Sequence, residues 1–191
     1  MVIRRIGTLL TRGCVDNKRI HAFLASSSNQ MVGQFVKRKM LVNKSSVFEL
    51  DDFDDSVIFA RLRDKGYSES DAKEFLNVAG SRLRTLEEPL IGNTLVDVQA
   101  WKIRKLKNVH GSFKQAFTSV GQSNWPTLIS ILDDIYLHGS FEYEGKDAEI
   151  IDKFDLSLIF YISQDVVKFQ SRTHELYWSQ NRERLKKVYS A

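Results

Sequence analysis

Ser68-Glu-Ser-Asp-Ala-Lys-Glu-Phe-Leu-Asn-Val-Ala-Gly-Ser-Arg82 contains a complete helix with both of its ends. Ser68 followed by Asp71 is a capping-box pattern, in which a hydroxyl meets the amide three residues on. Ala72, Phe75, Leu76 and Ala79 then recur at the 3, 4, 7 spacing that puts one apolar stripe on a helix. Gly80 supplies the stop. Upstream, Asp51-Asp-Phe-Asp-Asp55 places negative charge where a helix dipole favours it, and Val57, Ile58 and Leu62 continue that helix as far as Gly66. Downstream, Ser81 is placed to cap a third helix holding Arg82, Leu83, Leu86 and Leu90. Residues 51–92 therefore read as a small helical unit.

Patterns on either side complete the expected fold. Residues 94–121 are helical in spacing, with Val98, Trp101, Ile103, Leu106, Phe113 and Phe117 as anchors and Gly111 as an expected interruption. Pro126 opens a helix over 127–137, and Gly139 ends it. A short helix is expected over 148–154. Leu156 to Ile162 and Val166 to Phe169 then flank Ser163-Gln-Asp165 as a hairpin, and a charged helix follows over 171–188. At the other end, Lys18-Arg-Ile-His-Ala-Phe-Leu-Ala-Ser-Ser-Ser-Asn29 reads as a buried strand, Ile20 to Ala25, that stops in small polar residues. A basic helix over 30–40 and a short strand over 47–50 follow. The expectation is a mainly α protein with a small β component. It comprises a partial α/β remnant over 1–50, a helical lid-like unit over 51–92, and a helical, winged-helix-like region over 93–191.

The formal charge of +4 is unevenly spread. Residues 1–48 carry nine bases against Asp16 alone, and residues 49–90 carry eleven acids against six bases. Residues 91–122 are basic again, and 123–191 are mildly acidic. Such blocks arise from charge pairing between parts of one chain or from separate basic surfaces for a polyanion. Lys102, Arg104, Lys105 and Lys107, with Arg182 and Arg184, are the candidate phosphate contacts under the second reading.

Several chemistries find no support in the pattern. Cys14 is the lone cysteine, which removes a disulfide framework and fits a reducing compartment. His21, His110, His138 and His174 form no ligand spacing, so no metal site is expected. No apolar run reaches the roughly 18 residues of a membrane span. A phosphate loop needs GxxxxGK[ST], and the nearest stretch, Gly139 to Lys146, has five intervening residues with Glu142 and Glu144 among them. No catalytic residue is assigned. The chain reads as intracellular, with the cytoplasm favoured; the acid-free, Arg-containing start over 1–12 keeps a mitochondrial address as the alternative.

Taken in order, the strand ending in Ser residues, the basic helix, the helical unit and Gly80-Ser-Arg82 resemble the second half of a AAA+ or STAND-type P-loop ATPase. The resemblance covers about residues 15–90 in detail and the remainder by order of elements. It implies that Ser27, Ser28 or Asn29 is a polar sensor at a strand end. It implies that Arg82, with Arg84 beside it, meets the γ-phosphate through the charge-assisted fork of a guanidinium. Arg38 would lie in the region that bears an inter-subunit arginine. ATP would bind only with a phosphate loop supplied by another chain or segment, so a protein partner or a P-loop-bearing segment is implied. Two alternatives stand beside this: a winged-helix protein that binds nucleic acid, and an interaction scaffold without ligand.

Overall fold

The computed structural model describes residues 53–151, 153, 158–161 and 166–189. The chain is mainly helical with a small antiparallel sheet, as the patterning predicts. Helix α1 is Asp55–Asp64, α2 Glu69–Ala79, α3 Glu87–Ile91, α4 Val98–Val120, α5 Trp125–His138, α6 Lys146–Ile151 and α7 Arg172–Tyr189. Strands β1 (Phe141–Glu142), β2 (Ile159–Tyr161) and β3 (Val166–Phe169) form one sheet in the order β1-β3-β2. The expected strands over 20–25 and 47–50, and the expected helix over 30–40, lie outside the described residues.

Local chemistry accounts for the helix ends. Asp54 caps α1 by accepting from the Ser56 N–H at 2.7 Å, and those Ser56 bonds hold its carboxyl below the ordinary value. α1 stops in a Schellman motif: Gly66 N–H donates to the Arg63 carbonyl and Tyr67 N–H to that of Leu62. Gly66 sits at φ +103°, a conformation that a side chain would strain. Ser68 caps α2 by accepting from Asp71 N–H at 3.1 Å, as the sequence pattern requires. Pro126 lies in the first turn of α5, where its missing N–H costs no intrahelical bond.

Two buried clusters stabilise the molecule. The first gathers Ile58, Leu62, Tyr67, Ala72, Phe75, Val78, Leu86, Val98 and Trp101. Its aromatic centre is edge-on packing of Tyr67 on Phe75 and of Phe75 on Trp101, each pair with centroids 4.9 Å apart. The second joins α4, α5, the sheet and α7, with Phe113 stacked on Trp178 at 5.6 Å and an interplanar angle of 11°. β3 is the central strand and alternates, burying Val167 and Phe169. Its register sets Phe141 opposite Val167 and Ile159 opposite Phe169, so β2 and β3 are the hairpin partners the sequence predicts.

Two expectations fail locally. Arg82 does not open a helix: residues 82–86 form a single turn, with Thr85 and Leu86 N–H groups donating to the Arg82 carbonyl. The reason is Pro89, which is tolerated only in a first turn and so moves the start of α3 to Glu87. Gly111 does not interrupt α4, which runs unbroken for 23 residues. Val109, Phe113, Ala116 and Phe117 bury one side of the helix around it and outweigh a propensity deficit of about 1 kcal/mol.

Gly111 is exposed, and a methyl group built there meets nothing within 4 Å. Gly111→Ala is therefore expected to stabilise the fold by about 0.5–1 kcal/mol, read as a higher midpoint in thermal or urea unfolding.

Candidate functional site

Arg82 reaches its position because α2 ends abruptly. Gly80 N–H donates to the Leu76 carbonyl at 2.7 Å, and Gly80 takes φ +64°, turning the chain away from the helix axis. A Cβ on Gly80 would lie 3.6 Å from that of Arg172, so the turn runs directly against the start of α7. Buried Leu86 anchors the far side of the turn. From this turn the Arg82 guanidinium donates through Nη1 to the main-chain carbonyl of Gln170 at 2.7 Å. Gln170 in turn donates its N–H to the Leu158 carbonyl at 3.1 Å, which closes the open end of the β2–β3 hairpin.

A second bond crosses the same junction in the opposite direction. Thr173, in the first turn of α7, donates its hydroxyl to the Val78 carbonyl of α2 at 2.9 Å, fully within the interior. Leu176, one turn on, packs against the first core. Arg82 and Thr173 thus each tie one unit to a main-chain oxygen of the other.

Arg84 has different surroundings. It is exposed and lines an open surface cleft of about 410 Å³ with Lys105 and Asn93, opposite Glu87 and Glu88. Carboxylates in that lining oppose a polyphosphate, so the cleft does not gather Arg82 and Arg84 around one anion. Ser27, Ser28, Asn29 and Arg38 lie outside the described residues.

Most of the cations marked as phosphate contacts are engaged within the chain. Lys102 pairs with Glu74 of α2, and Arg104 with Glu88 of α3 at 2.6 Å. Lys105 lies over the Trp101 ring, 5.5 Å from its centroid. Arg182 lies over Tyr136 at 5.2 Å, and Arg184 donates to Asn181 Oδ1 at 2.9 Å. Lys107 is exposed. The basic block over 91–122 thus serves in part as the counter-charge of the acidic block over 49–90.

Four polar pairs had no signal in the sequence: three join residues distant in the chain, and the fourth depends on the turn that opens α7. Asp133 of α5 accepts from Trp178 Nε1 at 3.2 Å and pairs with Lys186 at 2.6 Å, fixing α7 across α5. Ser171 Oγ lies 2.8 Å from His174 Nδ1, a side-chain pair three residues apart at the opening of α7. His110 Nδ1 and the Tyr177 hydroxyl are 2.5 Å apart, with the Tyr177 ring buried against Phe113. Among the described residues no three His, Cys, Asp or Glu side chains converge as a metal site. Among the same residues no helix is long and apolar enough to cross a membrane.

No family model, curated protein or solved structure matches the chain.

Burial raises the Tyr177 phenol above its ordinary value, against an opposing pull from Arg184. The unfolded chain therefore releases this proton near pH 10, while the fold retains it to higher pH. Between those two values the native state holds more protons, so stability falls as pH rises through that window. In an alkaline absorbance titration Tyr177→Phe is expected to remove a late-titrating phenol, and the loss of stability beyond pH ~10 should diminish with it.

Proposed function

We propose that the chain is a non-hydrolysing sensing and coupling module, built like the lid and winged-helix end of a AAA+ or STAND-type ATPase. In this reading it passes the nucleotide state of a phosphate-loop segment, supplied elsewhere, to protein contacts. The supporting observation is the position of Arg82. The guanidinium that the resemblance assigns to a phosphate stands at the junction between the helical unit and the hairpin with α7. A charge placed there acts on both units at once. The order of elements also agrees: a helical unit, two longer helices, a three-stranded antiparallel sheet with a two-stranded hairpin, and a terminal helix. No catalytic pair enters the reading, since phosphate binding without a loop of main-chain amides and a lysine does not position a leaving group.

The nucleic-acid alternative draws less support. Lys102 and Arg104 are neutralised by Glu74 and Glu88, and Arg182 is held on Tyr136. An interface dominated by phosphate contacts needs cations that can replace condensed counterions.

Isothermal titration of the full chain with magnesium and a non-hydrolysable ATP analogue tests the proposal. The expected result is residual contact through the sensor arginine, far short of the binding that a supplied phosphate loop would give, which Arg82→Ala reduces by about tenfold or more, as loss of a charge-assisted fork does. Absence of heat with the wild-type chain would leave an interaction scaffold without nucleotide.

A further inference from the structure

We propose that the seam between α4 and α7 carries an oxyanion site, built from the Arg184 guanidinium and the His110 imidazole around the Tyr177 hydroxyl, with Lys114 at its edge. Its ligand is a tetrahedral phosphate, free or as the terminal group of a small phosphate monoester. The site shares no residue with the Arg82 junction and stands apart from the nucleotide reading.

On α7, Tyr177, Asn181 and Arg184 follow one another at four- and three-residue steps and so share a face. Asn181 ties them together: its Nδ2 donates to the Tyr177 carbonyl at 2.9 Å, and its Oδ1 accepts from Arg184 Nη2 at 2.9 Å. The second bond draws the guanidinium back along the face toward the phenol, near enough for its charge to pull on the Tyr177 proton. α4 supplies the other wall. His110 Nδ1 lies 2.5 Å from the Tyr177 hydroxyl, and further on Phe117 stacks on Tyr189 at 3.9 Å, so the two helices run in the same direction. Lys114, one turn beyond His110 on the same face of α4, therefore comes alongside the turn from Asn181 to Arg184.

Proton placement makes this cluster a donor site. Arginine has no acceptor atom, so the proton that Tyr177 retains goes to His110 Nδ1. Nε2 then carries the imidazole N–H, on a ring that is exposed. Arg184 is exposed too, and Nη2 is the nitrogen that serves Asn181 among its five N–H groups. A guanidinium fork holds two oxygens of an anion and the imidazole N–H a third, which matches one face of a tetrahedral phosphate and exceeds what a planar carboxylate offers. The surrounding charge agrees. α4 has no acidic residue from Val98 to Val120. The α7 carboxylates are turned to other cations, Glu175 to Arg172 and Glu183 to Arg182 and Lys186. On α2, Glu74 is paired with Lys102. An arriving dianion thus meets none of these carboxylates unpaired.

Calorimetric titration of the full chain with inorganic phosphate at low ionic strength is the test. One saturable site in the millimolar range is expected, as a few charge-assisted bonds at an exposed site give. Arg184→Gln is expected to weaken it about tenfold and His110→Ala about fivefold. Both positions are exposed, so the substitutions spare the core. Arg61→Gln, which removes the same charge from α1, is expected to leave binding unchanged, and so is Arg82→Ala. Sulfate is expected to compete; formate at equal ionic strength is not. Glycerol phosphate separates the two sources: retained affinity admits a monoester, and lost affinity restricts the site to the free anion. No saturable binding to the wild-type chain, equal weakening by Arg184→Gln and Arg61→Gln, or competition by formate overturns the site. Binding lost in Arg82→Ala but kept in Arg184→Gln also overturns it, and leaves the nucleotide reading standing.

Discussion

One uninterrupted helix, α4, belongs to both hydrophobic cores, and the arrangement of everything else follows from that continuity. Its first turns give Val98 and Trp101 to the cluster built on Phe75, and its later turns give Val109, Phe113, Phe117 and Val120 to the cluster built on Trp178. At 1.5 Å per residue the helix is about 35 Å long, the width of a small domain. A helix of that length cannot satisfy both clusters if it kinks. The two units are therefore not beads joined by a linker. They are two layers fastened to one rod.

Different forces act on rod and junction. The cores are held by non-directional burial of aromatic and aliphatic area, a large term that tolerates small displacements. The junction adds Leu176, two side-chain bonds to carbonyls, and the close passage of Gly80 by Arg172. Each such bond contributes on the order of 1 kcal/mol, somewhat more when one partner is charged. The charge pattern works alongside these contacts: Lys102 with Glu74 and Arg104 with Glu88 attach α4 to α2 and α3.

Much of this was legible where the determining physics is local. Ser68 with Asp71, Gly66, Gly80, Pro126 and Gly139 mark helix ends within a residue or two, because caps and turn conformations depend on adjacent backbone. The β2–β3 hairpin was legible because its two β-rich runs are neighbours in the chain. The fates of Arg82 and Gly111 were not, for opposite reasons. At Arg82 a proline seven residues on displaced a helix start that Ser81 seemed to offer. At Gly111 burial of the flanking face carried the helix through a residue that favours breaks. β1 was missed because a two-residue strand has no periodicity of its own and exists only through its pairing with β3. The Arg82–Gln170 bond was invisible altogether: the two residues lie 88 apart in the chain, and a main-chain acceptor leaves no residue-type signal.

That last point bears on how a functional arginine should be read. A guanidinium after a helix-ending glycine is compatible with a phosphate contact, a solvated surface, or a bond to the chain's own backbone, and residue type alone does not separate the three. Here the third is realised, with the Gln170 carbonyl as an acceptor. A main-chain acceptor is present whatever side chain stands at its position, so a bond of this kind follows from the fold and not from residue type.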